Sequence, residues 1–323
     1  MNEMQELMLN FIDFEKNVKN HSNVRQRYYY HLRRLNQYLI LEKWAKVQVE
    51  DVELTDILDF LNKYKMHKIE HWPTSWKYPS RNALYNMIVS IRMFFRYCNI
   101  IWKRLKFNRE QIPIFKMEDV KREPMKREDY EILYKAPILY NDLDRKDIIL
   151  RDRLIFQIPR ETGLRRAELT RLKFEHFHSA NRQFQIEVKW WRYESVFFSE
   201  RLQKKVFEYE EVIRKKYRWY NDIEYLFFYM SQKQVDKWRQ MSPKVLWLIV
   251  WDYVKKLKKD WLIPENKKLC LHQERHSFAM RCVYSWLSQQ ATTQLMRHKD
   301  PKITLHYYHL NDTRLKNQYD LIQ

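Results

Sequence analysis

At residues 162–169 the sequence reads Thr-Gly-Leu-Arg-Arg-Ala-Glu-Leu, and this stretch holds the only glycine among 323 residues. Ordinary glycine usage of about 7% would supply roughly twenty. Glycine reaches positive φ and lets another group approach its backbone closely. Gly163 is therefore predicted to turn the chain so that Arg165 points into a pocket.

The chain carries a large positive charge. Lysine and arginine number 61 against 41 aspartate and glutamate residues, which gives a formal net charge of +20. An excess of this size favours a polyanionic partner, and nucleic acid is the commonest one. The alternative that charge alone leaves open is a basic protein of unrelated function.

Three cysteines without a Cys-x-x-Cys pair predict reduced thiols and no disulfide or zinc framework. The longest uncharged apolar run, 245–251, is too short to cross a bilayer, and the N-terminus is acidic, unlike a signal peptide. We therefore expect a cytoplasmic, DNA-associated protein that does not contact a membrane. Its many aromatic residues are predicted to lie mostly in the core.

Apolar spacing predicts helices in the first part of the chain, with Ser22, Thr55 and Ser80 as their N-caps. The charged, proline-marked stretch 113–124 is predicted to be a linker between domains 1–112 and 125–323. The second domain is expected to mix helices with a small antiparallel sheet. Alternation at 184–188 and 195–198 predicts a hairpin with its tip at 189–194.

Arginine, histidine and tyrosine concentrate in three further segments of the second domain. Residues 271–279 read Leu-His-Gln-Glu-Arg-His-Ser-Phe-Ala, residues 295–298 read Leu-Met-Arg-His, and residues 304–309 read Thr-Leu-His-Tyr-Tyr-His. Together with residues 162–169, these segments have an order and spacing that resemble those of the tyrosine recombinase (phage integrase) family, in particular of its Xer-like two-domain members. The helical first part resembles the family's core-binding domain, a DNA clamp, in length and pattern.

The resemblance implies a mainly α fold, with a helical core-binding domain and an α+β catalytic domain. It implies a site-specific recombinase or integrase that cleaves and rejoins DNA through a 3′-phosphotyrosyl intermediate. Such an enzyme acts as a homotetramer on two DNA duplexes and needs no cofactor. The same resemblance fits both a mobile-element integrase and a chromosome or plasmid resolvase.

Site residues follow from the family's pattern. Two guanidinium groups bind phosphate oxygens in forks and stay charged, which suits a pentavalent phosphorus. Further hydrogen bonds come from histidines, and a tyrosine oxygen attacks phosphorus. The implied set comprises the clamp Arg165 and Arg275, the donors His272 and His298, the nucleophile Tyr307, and the supporting residues Glu168 and His276. Lys189 is added as our candidate for the general acid.

The sequence leaves alternatives open for the nucleophile and for the function. Tyr308 competes with Tyr307, although only Tyr307 fits both Thr-x-x-Tyr and Tyr-x-His. His272, His276 and His298 could instead build a metal-dependent nuclease, although the glutamate of His-Gln-Glu-Arg-His does not stand where the zincin helix has it. A non-catalytic DNA-binding protein on the same fold is the third possibility.

Two positions depart from the family's pattern. Arg297 stands where the family has a glycine, and we expect an arginine there to require negative φ and to direct its charge towards DNA. The family's hairpin resembles Lys-Gly-x-Lys-x-Arg, with the later lysine as general acid. Register places Lys189 at the first lysine and Arg192 at the later one. An arginine is a poor proton donor, so either Lys189, the only lysine of the hairpin and our assignment, reaches the site from a reshaped turn, or the acid is another group.

Overall fold

The computed structural model describes residues 3–19, 28–43, 47–66, 79–115, 123–188, 192–217, 223–229 and 240–309. The chain divides into two compact units, Met1–Val120 and Lys121–Gln323. Within the described ranges, no helix is long and apolar enough to cross a membrane. The α-helices are α1 (Glu3–Lys19), α2 (Tyr30–Lys43), α3 (Leu54–Lys65), α4 (Arg81–Ile100), α5 (Arg127–Leu139), α6 (Lys146–Thr162), α7 (Arg166–Leu169), α8 (Glu200–Lys216), α9 (Pro243–Lys259), α10 (Leu271–Tyr284), α11 (Gln289–Met296) and α12 (Pro301–His309).

The first unit packs α1 to α4 around an aromatic core. Phe11 of α1 lies edge-on to Phe94 of α4, with ring centroids 5.9 Å apart, and Phe94 in turn contacts Phe95. All three side chains are buried. Tilted and edge-on ring pairs of this kind add to the free energy of apolar burial. The assignment of this unit to DNA clamping stays a prediction.

The predicted helix caps have mixed outcomes. The Ser80 cap is confirmed, since its Oγ accepts the Ala83 N–H at 3.1 Å. The Thr55 cap is wrong because α3 already begins at Leu54. There the Asp56 carboxylate accepts the Glu53 N–H at 2.7 Å, which makes Glu53 the cap. Ser22 lies outside the described residues.

The second unit is built around α6, which is buried around most of its circumference. The helices α5, α8 and α10 pack against it. A smaller apolar cluster joins α10, α11 and α12 and includes Val283, Met296 and Tyr307. These two cores place the ends of α6, α10 and α11 beside one another.

A two-stranded antiparallel sheet, β1 (Gln183–Val188) and β2 (Arg192–Phe197), is the one sheet in the described part of the chain. The predicted fold class, mainly helical with a small antiparallel sheet, is confirmed. The predicted hairpin tip was too long, however. Val188 pairs with Arg192, so the ladder continues through Tyr193 and Glu194, and only 189–191 separate the strands.

Three helices end on a tryptophan in the left-handed backbone region. Trp102, Trp261 and Trp286 follow α4, α9 and α10 with φ of 60°, 60° and 62°. Each occupies the position where glycine usually completes a Schellman motif. After α9, for example, the Trp261 N–H donates to the Lys258 carbonyl at 3.0 Å, and the next N–H returns to the Leu257 carbonyl at 2.9 Å.

Replacing Trp261 with glycine should stabilise the protein. A non-glycine residue in the left-handed region costs about 1 kcal/mol or more, and the Trp261 side chain, 90% exposed, contributes little burial in return. The matched control is Trp251→Gly inside α9, where glycine should cost about 1 kcal/mol. The urea midpoint of unfolding should therefore rise for Trp261→Gly and fall for Trp251→Gly. A loss of stability in both variants would contradict backbone strain at Trp261.

Candidate active site

Gly163 ends α6 in the left-handed region, with φ of 64°. Its N–H donates to the Pro159 carbonyl at 2.9 Å. A Cβ at this position would lie 2.5 Å from Cδ1 of Phe278 on α10. The predicted need for glycine is confirmed on both counts, positive φ and close approach. The turn allows α10 to pack closely and starts the segment that carries Arg165.

Arg165 immediately precedes α7 and is held by Glu168. The Glu168 carboxylate accepts the Arg165 N–H at 2.8 Å and Nη1 at 2.7 Å. Arg165 Nη2 donates to the Arg297 carbonyl at 3.0 Å. Burial acts to raise the pKa of Glu168, but the guanidinium groups of Arg297 and Arg165 bring that pKa below its usual value. Glu168 is therefore an ionised anchor for the arginines around it.

Arg275 lies on α10 and is only 2% exposed. Its Nη1 donates to the Gly163 carbonyl and its Nη2 to the Met296 carbonyl. Burial and the nearby charge of Arg165 lower the pKa of Arg275 to about 9, so the guanidinium is still charged at neutral pH. Arg275 thus connects the glycine turn to the end of α11.

Two histidines of α10 lie next to each other, one turn apart. The ring centroids of His272 and His276 are 4.4 Å apart. His272 is exposed, whereas His276 is buried. The Nδ1 of His276 is hydrogen-bonded to the hydroxyl of Tyr307 on α12. The Tyr307 side chain is 1% exposed, which places its oxygen inside the protein.

The two adjacent tyrosines of α12 have different surroundings. Tyr307 also lies beside His298, with nearly parallel rings whose centroids are 6.5 Å apart. His298 is in turn bonded through Nδ1 to the Thr304 hydroxyl at 2.8 Å. The Tyr308 hydroxyl instead donates to the Leu287 carbonyl at 2.7 Å. Tyr307 therefore faces the histidines, and Tyr308 attaches α12 to the end of α10.

The two predictions for Arg297, a negative φ and a charge directed towards DNA, are both wrong. Its φ is 53°, in the left-handed region, where it ends α11. Its side chain is buried instead of facing DNA. Nη2 donates to the Thr162 carbonyl at 3.2 Å, and Nε lies 3.7 Å from the Glu168 carboxylate. These contacts offset the cost of the left-handed backbone, a possibility that the local sequence could not reveal.

The hairpin lies beside the end of α11, and a cleft of about 600 Å³ separates them. Arg192 lines this cleft together with Arg297 and His298. Arg192 also forms an ion pair with Glu194 on its own strand. Lys189, the predicted general acid, lies outside the described residues.

A buried ion pair next to Arg275 was not anticipated from the sequence. Arg160 Nη1 lies 3.0 Å from the Glu274 carboxylate. The other oxygen of Glu274 is buried without a hydrogen-bond partner among the described residues. Burial raises the pKa of Glu274 to about 7, against the opposing effect of Arg160. Local sequence gives no sign of this pair, because its partners are 114 residues apart.

Taken together, the structure gathers Arg165, Glu168, Arg275, His276, His298 and Tyr307 around the ends of α6, α10 and α11. Among the residues that the structure describes, no three histidine, cysteine or acidic side chains form a group that could hold a metal ion. That includes the three histidines of the nuclease alternative.

Known structures share this architecture. XerH recombinase bound to its difH substrate in a pre-cleavage complex is 16% identical, with a TM-score of 0.67 over 100% of this chain and 97% of that chain. The Tn1549 transposon integrase with circular intermediate DNA is 17% identical, with a TM-score of 0.62 and 95% of each chain covered. A lambda integrase dimer on a COC′ core site is 14% identical, with a TM-score of 0.62 over 93% of this chain and 76% of that chain.

A helical fold with paired arginines, histidines and a tyrosine at one junction defines the class of tyrosine-type site-specific recombinases. The model of the phage integrase family matches residues 134–314, more than half of the chain. The chain belongs to the phage integrase family and is a tyrosine-type recombinase.

Proposed function

We propose that the protein cleaves DNA by attack of the Tyr307 oxygen on a backbone phosphate. The product is a 3′-phosphotyrosyl link and a free 5′-hydroxyl, and attack by a partner strand's hydroxyl reverses the step. One observation carries this assignment. The Tyr307 hydroxyl contacts His276 on the same helix that supplies Arg275. The proposed nucleophile, its hydrogen-bonding partner and the proposed phosphate-binding cation are thus neighbours.

The other residues have distinct proposed roles. Arg165 and Arg275 bind the non-bridging oxygens and offset the charge that develops at phosphorus. His272 and His298 donate further hydrogen bonds. Glu168 orients Arg165 through its two hydrogen bonds. His276 is a positioning residue that acts on the Tyr307 hydroxyl.

The described arrangement is closed. Arg275 and Tyr307 are almost fully buried, and both are hydrogen-bonded to other groups of the protein. For a phosphate to meet them, the Tyr307 hydroxyl must leave His276 and the Arg275 guanidinium must leave the Gly163 and Met296 carbonyls. Arg165 is more accessible and is the natural first contact for the phosphate. DNA binding and opening of the site are therefore coupled in this proposal.

Double-stranded DNA is the proposed partner. The net charge of +20 favours a polyanion. XerH, the Tn1549 integrase and lambda integrase were each solved with DNA, and the chain shares their fold. Exchange of strands between two duplexes requires four cleavages, so we propose that four copies of the chain act together.

Incubation with a nicked suicide substrate tests the function. The nick releases a short fragment after cleavage, so covalent protein–DNA adduct accumulates on a denaturing gel. We expect the same adduct yield with and without EDTA, because arginines and histidines supply the charge stabilisation. Cleavage without adduct that stops in EDTA and returns with added zinc or magnesium would support the nuclease alternative.

Lys189 is the proposed general acid for the leaving 5′-oxygen. Lys189→Ala should slow cleavage of ordinary DNA about a hundredfold or more, since the oxygen must leave unprotonated. A 5′-bridging phosphorothiolate leaves as a thiolate and should restore cleavage by this variant. Arg192→Ala is the control from the same hairpin. If Arg192→Ala showed the defect and the rescue instead, the assignment to Lys189 would be wrong.

A further inference from the structure

Arg297 combines an unfavourable backbone with a side chain that is buried and hydrogen-bonded through both Nη atoms. Its φ of 53° is a region that glycine occupies without strain. Its guanidinium is nevertheless buried, with hydrogen bonds to the Leu295 and Thr162 carbonyls at 2.8 and 3.2 Å. Strained residues of this kind persist where the surroundings hold them, and they concentrate at functional sites.

The backbone of Arg297 also contacts the proposed clamp directly. Its carbonyl accepts a hydrogen bond from Arg165 Nη2 at 3.0 Å. The opposite end of the Arg165 fork is held by Glu168 at 2.7 Å. The Arg165 guanidinium is therefore fixed between a carboxylate and the carbonyl of Arg297, and the position of that carbonyl depends on the left-handed turn.

Three guanidinium groups converge on one buried carboxylate. Arg165, Arg297 and Arg275 have nitrogens 2.7, 3.7 and 4.0 Å from the oxygens of Glu168. Arg297 thus supplies a positive charge that keeps Glu168 ionised, yet both of its Nη atoms are already bonded to backbone carbonyls. Its contribution to the site passes through Glu168 and Arg165.

We propose that Arg297 is a positioning residue for strand cleavage. It holds Arg165 through its own carbonyl and through Glu168, and it does not contact DNA. The proposal rests on the proposed role of Arg165 in the phosphate clamp. It predicts that the side chain of Arg297 matters for the rate of cleavage and not for the affinity for DNA.

Arg297→Gly tests the proposal, because glycine keeps the left-handed turn and the backbone carbonyl while it removes the whole side chain that lies against Glu168. We expect single-turnover cleavage at saturating DNA to fall about a hundredfold, the loss typical of a misplaced catalytic group. The DNA dissociation constant should change less than threefold, because the proposal leaves this side chain away from DNA. Arg297→Lys, which retains the charge, should restore part of the rate.

Trp261→Gly is the matched control, since it also introduces glycine at a left-handed helix end of the same unit. It should cleave like the unchanged chain. If the unchanged chain forms no adduct, the proposed function fails. If the unchanged chain forms adduct and Arg297→Gly cleaves within twofold of it, the positioning role is wrong. Equal losses in rate and DNA affinity would also contradict it.

The left-handed tryptophans lead to a second, independent inference. Unlike Arg297, Trp102 and Trp261 leave their side chains 92% and 90% exposed, so little compensates for the strained backbone. The chain has 12 tryptophans and one glycine. We infer that in its natural cell the protein carries glycine at positions 102, 261 and 286. One codon, UGA, is read as tryptophan in some genetic codes and as glycine in another.

The hairpin supports this inference from the sequence alone. The resemblance to tyrosine recombinases includes a glycine directly after the first lysine of the hairpin. In this chain Trp190 stands directly after Lys189. A glycine at position 190 would restore the family's pattern. This observation is independent of the backbone angles at positions 102, 261 and 286.

Peptide mass spectrometry of the protein from its natural cells tests the inference. The peptides covering positions 102, 261 and 286 should have masses that correspond to glycine. Tryptophan at these positions would overturn it. In recombinant protein, the triple change to glycine should raise the thermal midpoint, whereas Trp251→Gly should lower it. A fall in the midpoint of the triple variant would also contradict the inference.

Discussion

Tyr307→Phe should abolish covalent adduct completely while the affinity for DNA stays within about twofold. The substitution removes one oxygen, and that oxygen is the proposed nucleophile. Non-covalent binding to DNA depends chiefly on cations that contact phosphates, and none of them is changed. A gel shift and a suicide-substrate assay on the same preparation measure the two effects.

Tyr308→Phe is the control, because the neighbouring hydroxyl has a structural partner instead. It loses the hydrogen bond to the Leu287 carbonyl, which should cost about 1 kcal/mol of stability. Adduct should still form. If adduct persisted in Tyr307→Phe and disappeared in Tyr308→Phe, the nucleophile would be one residue further along α12.

Arg165→Lys should reduce single-turnover cleavage about a hundredfold or more. A lysine keeps the charge, but its compact ammonium cannot reproduce the planar fork with which the guanidinium bonds Glu168 and the Arg297 carbonyl. Loss of one group that stabilises transition-state charge typically costs this much. Because the charge remains, affinity for DNA should change little.

The adjacent Arg166→Lys gives a matched control one residue away. Arg166 is exposed at the start of α7. Its replacement should leave cleavage near normal. Near-normal cleavage in Arg165→Lys would remove that arginine from the clamp, whereas equal defects in both variants would indicate a general effect of the α7 segment.

The sequence was sufficient to predict the fold class and the glycine turn. Helical spacing and strand alternation are local patterns, and the single glycine near Arg165 indicated a turn with positive φ. Gly163 has the positive φ and the close neighbour that this argument requires. The resemblance put Arg165, Arg275, His298 and Tyr307 on segments that the structure brings together, and their catalytic roles stay proposals.

Features that depend on particular side-chain contacts or on strand pairing were not predictable from spacing and alternation. The burial of Arg297 depends on Thr162, which is 135 residues away in the sequence. The Glu53 cap replaced the expected Thr55 cap because a carboxylate at Asp56 accepts its N–H. The length of the hairpin tip depended on whether Val188 and Arg192 pair, which alternation alone does not decide.

The most direct test of the central claim is to map the covalent bond. Adduct trapped on a suicide substrate is digested with protease and nuclease, and tandem mass spectrometry locates the nucleotide on the peptide that contains α12. We expect a 3′-phosphate ester on Tyr307 in the unchanged protein. Attachment at Tyr308, at a histidine or at a 5′-phosphate would contradict it.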